Sequence, residues 1–315
     1  MSLNSGLSPR TVRAGLDKVF FQENQYQDRP GEVYGSDPLF FRQETADRGA
    51  VVTEEYQGPG SFDPHSEEQE VDEATIRSAN QKTHTILNYK RGVRIPVEYY
   101  EDEYLGMVNE TVRKFRFRAD TSRDKHAFNN SYADAFSGVT SSDGVALISN
   151  SHTLLSGDTL DNLETGALTP ANLETVVRSV RLQRDQDGEL AAFRPDGLLV
   201  PTILHPDAVE IADSELKPGT GNNELNYFSR IYPGMKIGCS AWLDSTYNTL
   251  NTNANTSYFV VSMWHSVMRY VRKSLRTDLV DWKMDSRDRY HYKASFREVV
   301  SVISPLGVVG SNGTA

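Results

Sequence analysis

The sequence is poor in the features that would identify most enzymes or membrane proteins. Of 315 residues one is cysteine, Cys239, so no internal disulfide can form, and its neighbours Gly238 and Ser240 offer no metal-ligand partner. A buried, inert thiol is the expectation. No apolar run approaches the roughly 18 residues a membrane-spanning helix needs, and the first 21 residues carry Arg10, Arg13, Asp17 and Lys18 in place of a signal-type apolar core. Mean hydropathy is low, −0.52, and 38% of residues are hydrophobic. Surplus positive charge is missing too: 33 Lys and Arg stand against 43 Asp and Glu, a net of −10. A general nucleic-acid binder needs the opposite balance. Disorder is excluded by 13 Phe, 15 Tyr and 3 Trp, since disordered chains are poor in aromatics.

Catalytic and phosphate-binding signatures are also absent. There is no Gly-x-Ser-x-Gly elbow, no Gly-x-x-x-x-Gly-Lys loop and no His-Glu-x-x-His helix. Gly219-Thr220-Gly221 starts like a dinucleotide loop but reaches Glu224 where glycine is required. Asp185-Gln186-Asp187-Gly188 imitates part of a calcium loop, with Gln183 and Arg194 in two ligand positions. Asp63, His65, Glu67 and Glu68 could hold a hard cation, but an exposed acidic tip accounts for them better. No cofactor and no metal is expected.

What the chain does contain is pattern. Ser8-Pro9 opens a short helix with Val12, Leu16, Val19 and Phe20 on one face. Gln22 to Pro38 then reads as an extended arm that must dock on another surface. From Gly49 to Ile76 there is no Lys or Arg, while Glu54, Glu55, Asp63, Glu67, Glu68, Glu70, Asp72 and Glu73 accumulate around the turn at Gly58-Pro59-Gly60. Leu87, Tyr89, Val93, Ile95, Val97 and Tyr99 alternate with polar residues, and Arg91 alone intrudes on the apolar face. This run of about 40 Å at 3.3 Å per residue, paired with Val51 to Tyr56, predicts a protruding hairpin too thin to be stable alone.

A helix is expected from Glu98 to Phe136, about 58 Å long if unbroken, with Thr121-Ser122 as the place for a kink. Residues 162–264 alternate helices and strands as an α/β unit. Thr169-Pro170 and His205-Pro206 start its helices, and Leu198–Leu204, Met235–Leu243 and Tyr258–Met263 are its strands. Strict alternation returns at Val280, Trp282 and Met284, and again at Tyr290, Tyr292, Ala294 and Phe296, predicting a second antiparallel pair to cover the long helix. Ser304-Pro305-Leu306-Gly307 is expected to end the ordered chain.

The sequence resembles the major capsid proteins of tailed phages, with the HK97-type fold that encapsulins share. The resemblance spans about Ala50 to Gly310. It rests on Leu87-Asn-Tyr-Lys-Arg-Gly-Val-Arg-Ile-Pro-Val-Glu running into Glu101-Asp-Glu-Tyr-Leu-Gly, on Asp143-Gly144 with Ser151-His152, and on Tyr290-His-Tyr-Lys-Ala-Ser-Phe-Arg with Val299-Val-Ser-Val-Ile and Pro305-Leu-Gly-Val-Val.

It implies an α+β fold in five segments: an N-terminal arm (1–46), an extended β-hairpin loop (47–98), a peripheral domain with a spine helix (99–161), an α/β axial domain (162–264), and peripheral strands with the C-terminus (265–315). The implied function is a non-enzymatic head protein, assembling as hexamers and pentamers into an icosahedral shell around phage dsDNA. It would assemble in the host cytoplasm, with portal and scaffolding proteins as partners and a decoration protein as an optional one. DNA would be touched non-specifically at the inner wall, and no membrane is involved. An encapsulin-like compartment is the alternative, and an α/β hydrolase or transferase centred on 162–264 the remote one. One branch of the family crosslinks through a loop lysine. The lysine-free tip here predicts that this chemistry is missing.

Charge then gains a role. Glu67, Glu68 and Glu70 are expected to meet Arg269, Arg272, Lys273, Arg276, Arg287 and Arg289 across subunits, steering assembly and fixing register.

Overall fold

The computed structural model describes residues 9–22, 29, 31–62, 64, 70, 73, 77–102, 105–216, 225–280 and 288–314. Glu67, Glu68 and Arg287 of the expected contacts lie outside these residues, as do Asp63 and His65. In chain order, α1 (Pro9–Phe20) precedes β1 (Arg42–Thr45), β2 (Ala50–Tyr56), β3 (Ser78–Thr85) and β4 (Leu87–Pro96). Next come α2 (Glu98–Glu101), α3 (Leu105–Asn129), a 3-10 turn at Tyr132–Asp134, and the short strands β5 (His152–Thr153), β6 (Thr159–Leu160) and β7 (Leu163–Glu164). The α/β stretch holds α4 (Pro170–Leu182), β8 (Gly197–Pro201), α5 (His205–Asp213), α6 (Tyr227–Ile231), β9 (Lys236–Ser240) and β10 (Tyr258–Val261). The chain ends in β11 (Val267–Val280), β12 (Arg289–Val302) and β13 (Val308–Ser311).

Two sheets organise the molecule. One has the order β1-β11-β12-β4, the other β7-β13-β10-β8-β9. The first is covered on one face by α1 and α3, where Val12, Leu16, Phe20, Val108, Val112 and Phe115 meet Ile95, Tyr290 and Tyr292. The second packs α4 and α5 through Leu173, Val176, Val177, Val180, Ala208 and Ile211 onto Leu198, Val200 and Val260. Thr169 caps α4 by accepting from the Asn172 amide, with Pro170 in its first turn. Phe40, Phe41, Phe128, Tyr132, Phe259 and Val302 form a third core that joins the two sheets.

Several expectations need correction. The partner of β2 is β3, with Val51 opposite His84 and Thr53 opposite Lys82, and not the run from Leu87. That run is β4, antiparallel to β12. It alternates because its odd-numbered side chains face α3, whereas Ser-Ala-Asn-Gln-Lys-Thr-His-Thr has no apolar rhythm because the side chains it turns inward, Lys82 and His84, make polar contacts. The helix is not continuous from 98 to 136: α3 ends at Asn129 and a 3-10 turn carries Tyr132. Thr121 and Ser122 lie within α3, their hydroxyls donating to the Phe117 and Arg118 carbonyls. β11 begins at Val267, well before the expected Val280, and Trp282 and Met284 lie outside the described residues. Ser304 to Gly307 does not end the ordered chain, since β13 inserts between β7 and β10 with all four residues buried.

The arm docks on its own chain. The Val33 amide donates to the Cys239 carbonyl and the Cys239 amide to the Gly31 carbonyl, both at 2.8 Å, closing the outer edge of β9. Two residues on, the Gly35 amide donates to Asp124 Oδ1 at 2.8 Å. A Cβ on Gly35 would lie 2.6 Å from the Ala127 Cβ, so only glycine permits this approach.

Arg269 belongs to this junction and not to an intersubunit surface. It is 3% exposed, its Nη2 lies 2.6 Å from Glu298 Oε2, and its Nη1 donates to the Gly35 carbonyl at 2.8 Å. Arg123 of α3 reaches the same carboxylate at 3.1 Å. Burial by itself would raise the Glu298 pKa, but the Arg123 and Arg269 charges outweigh it and hold it below the ordinary value. Its stabilising contribution is therefore present above the usual carboxylate range and lost as pH falls through the depressed pKa. Glu298→Ala would leave the buried Arg269 and the partly buried Arg123 without their shared acceptor. A loss of about 3–5 kcal/mol is expected in urea denaturation, and a loss below about 1 kcal/mol would show the network to be dispensable.

Candidate assembly surface

Residues directly opposite on neighbouring strands share a face. On β12, Tyr290, Tyr292, Ala294 and Phe296 are buried toward the helices. Their alternates pair His291 with Arg94, Lys293 with Gly92, Ser295 with Lys90 and Arg297 with Asn88. On the other side Lys273 lies opposite Arg297, Arg276 opposite Ser295 and Asp278 opposite Lys293. The helix-free face of the sheet thus carries Lys90, Arg94, Lys273, Arg276, Lys293 and Arg297. The one acid among these pairings, Asp278, already has Arg13 within 3.7 Å. An open concavity of about 860 Å³ runs over this face, lined by Lys90, Arg94, Arg276, His291 and Lys293 together with Arg13 and Arg91. Six cations on one face, in a chain of net charge −10, make a local potential opposite to that of the whole molecule.

The hairpin rises from the far end of the same face. His84 sits with Nε2 2.7 Å from Thr53 Oγ1 and Nδ1 2.6 Å from Ser301 Oγ, and its ring stacks on Tyr270 at 5.4 Å. Lys82 Nζ donates to the Val302 carbonyl at 3.0 Å and to the Thr140 carbonyl. Glu55, 7% exposed, accepts from Ser142 Oγ at 2.5 Å and from Gln186 Nε2 at 3.3 Å. Polar contacts therefore fix the base of the hairpin beside a small apolar cluster in which Val51 and Ile86 meet Tyr270, Met268 and Val299. Beyond it Phe62 is 99% exposed and Glu70 is exposed.

Of the expected cations, Lys273 and Arg276 are exposed, Arg272 is half-buried beside Gly49, and Arg289 is half-buried next to the left-handed Asp288. Among the described residues, Glu70 forms no ion pair with Arg272, Lys273 or Arg276 of its own chain. Sequence reasoning missed Lys90, Arg94, Lys293 and Arg297. Their signal was present, because both alternating runs place cations at the positions between apolar ones.

Among the described residues, Ser141, Asp143 and His152 come nearest to a catalytic arrangement. His152 is fully buried, with Nδ1 2.7 Å from Asp143 Oδ2 and Nε2 3.2 Å from the Leu147 carbonyl. Ser141 donates to the other Asp143 oxygen and not to the imidazole. Both ring nitrogens are thus engaged without a nucleophile, which makes this a clamp for the 139–154 loop and not a relay. Burial pushes the Cys239 thiol up to about 11, away from the reactive thiolate. Among the described residues no group of three or more metal-ligating side chains occurs, and no helix is long and apolar enough to cross a membrane.

No protein-family profile and no curated protein matches this sequence. Solved structures do match its fold. The capsid of a native GTA particle aligns over 100% of both chains with a TM-score of 0.54 and 11% identity. The cyanophage Pam1 capsid aligns over 92% of each chain, also with a TM-score of 0.54 and 11% identity. A virus-like particle from Pyrococcus furiosus covers 95% of this chain and 97% of its own, with a TM-score of 0.52 and 10% identity. At such identities the likeness is one of fold, and it is the HK97-type fold.

Burial, with the Lys82 charge adding, pushes the His84 pKa down from 6.5 to about 4. Burial does the same to His265, where Arg42 adds to the shift and the Leu39 carbonyl opposes it. Because the folded state refuses protons that the unfolded state accepts, stability should fall as pH drops from about 6.5 toward 4, ahead of the carboxylate loss below. His84→Gln should make that limb shallower in thermal melts recorded across this range, with His265 keeping its own share. An unchanged slope would place the effect elsewhere.

Proposed function

We propose that this chain is a major capsid protein whose copies assemble as pentamers and hexamers into a closed icosahedral shell around double-stranded DNA. The observation that carries this reading is the full-length fold likeness to capsid subunits, joined to a sheet face that one copy leaves open and cationic. The acidic hairpin of a neighbour supplies the complementary charge. In this reading residues 162–264 surround the five- and six-fold axes, the spine helix and final sheet form the periphery, and the hairpin reaches an adjacent copy. Portal and scaffolding proteins complete the head, a decoration protein can bind outside, and assembly takes place in the host cytoplasm before the chain becomes part of the virion. A net charge of −10 suits a wall along which packed DNA must slide.

An encapsulin-like shell holding a protein cargo is the second reading, since a virus-like particle from Pyrococcus furiosus shares the fold alongside the phage capsids. The two differ in contents, DNA or protein.

The chain expressed alone, or with the scaffolding protein of its own head, should give closed shells in negative-stain microscopy and a matching mass by light scattering. A monomer or dimer that co-expression cannot convert would overturn the proposal. Each exposed ion pair is worth at most about 1 kcal/mol, but every copy repeats it. Reversing Glu67, Glu68 and Glu70 together to Lys should therefore sharply lower particle yield at physiological salt. Undiminished yield would remove electrostatic steering from the account.

A further inference from the structure

The apolar alternation from Leu87 is broken once, by Arg91, on the side of β4 that faces α3. A slot of about 480 Å³ lies there, between the sheet and the middle of α3. Small side chains make the room: Ala119 and Ser122 of α3 and Ala294 of β12 line it beside the larger Phe115 and Phe296. The floor is apolar. Phe115 and Phe296 are buried, Leu275 adds to them, and Tyr89 stacks on Phe296 at 4.8 Å with the His126 ring 4.6 Å away. The rim carries one sign of charge, since Lys90, Arg91, Lys114 and Arg118 are exposed around it and no acid lines it. Lys114 has Glu110 of the preceding turn at 2.6 Å. Among the described residues, Lys90, Arg91 and Arg118 have no ion-pair partner.

We propose that this slot is a binding site for a small amphiphilic anion, an apolar body the size of a medium-chain acyl group ending in a carboxylate. The proposal does not depend on the shell reading. A cavity of this volume falls in the range that holds small molecules, and such sites join an apolar lining to a few convergent polar groups. The chemistry of the lining selects among ligands. A cation is repelled by the rim. A neutral apolar molecule uses the floor and leaves the rim idle, while a bare inorganic anion gains nothing from Phe115, Leu275 and Phe296. A carboxylate with an apolar tail uses both parts. Its two oxygens match the planar fork of a guanidinium, and Arg91 and Arg118 come from different elements, β4 and α3. The head group therefore ties strand to helix across the gap that Ala119, Ser122 and Ala294 leave.

Equilibrium dialysis of radiolabelled decanoate against the full-length chain, below the concentration at which light scattering detects particles, tests this. A single saturable site per chain is expected, with decanol and decyltrimethylammonium about tenfold weaker or more and acetate not retained. R91E/R118E should weaken decanoate binding about tenfold or more. A119L, which fills the slot without touching its charges, should do the same. R91Q/R118Q serves if the reversal fails to fold, as judged by thermal melts. Decanoate should also slow hydrogen exchange of amides within 87–96 of the wild-type chain. Three results would each overturn the proposal: no saturable site, equal retention of all three decyl compounds, or binding indifferent to the charge variants and to A119L. Sedimentation of the chain with phosphatidylglycerol vesicles, without a site for free decanoate, would assign the slot to a membrane surface and overturn it as well. Protection of the same amides by self-association, with decanoate excluded, would assign the slot to a second copy with the same consequence.

Discussion

A sheet of four strands has two faces to cover, and this chain supplies helices to one. α1 and α3 bury Tyr290, Tyr292 and Ile95 on that side, and the opposite side is left as rows of Lys and Arg. That asymmetry governs the rest of the molecule. The hairpin must leave from the open face, since its base is tied to Ser301 and Tyr270 there. Between its strands the stretch 49–76 carries eight acids and no Lys or Arg. A single copy is thus a folded unit whose charges are sorted into separate regions, an arrangement that becomes favourable when copies meet.

Inside the molecule, charge is used in the opposite way. Glu298 gathers Arg123 from α3 and Arg269 from β11, while Arg269 and Asp124 together grip the backbone at Gly35. This buried knot fixes the arm, the long helix and the sheet to one another at the point where the two sheets share a core. Such a network costs desolvation and returns specificity of arrangement more than raw stability. Its place at the meeting of three segments suits a subunit that must present its outer faces in a fixed relation.

The parts legible in sequence were those whose period is set by burial. The α1 stripe and the alternation of 290–296 appear in the structure because each has one buried face, the run 258–261 because it is buried on both, and the Thr169 cap of α4 because capping is local. β3 was illegible because the positions it turns inward, Lys82 and His84, are polar and are held by hydrogen bonds, so its alternation in burial carries no apolar signal. The alternation from Leu87 was read correctly as a strand and given the wrong partner, because pairing depends on distant segments that period alone does not reveal. Arg269 was taken for a surface cation because its partner lies 29 residues away on the neighbouring strand. β13 was hidden behind Pro305 and Gly307, which read as an ending and are a corner, with Gly307 at φ +78 packed on His265. The candidate surface was half legible, since its cations stood at the polar positions of two alternating runs whose adjacency only the fold supplies.

In the proposed shell, the helix-free face that one copy leaves open would be covered by a neighbour. Amine-reactive footprinting with mass spectrometry, on dissociated subunits and on closed particles, measures this directly. Lys90, Lys273 and Lys293 should react readily in the subunit and lose most of that reactivity in the particle. Equal labelling of all three in both states would mean that the face stays open after assembly, and the account of what it is for would be wrong.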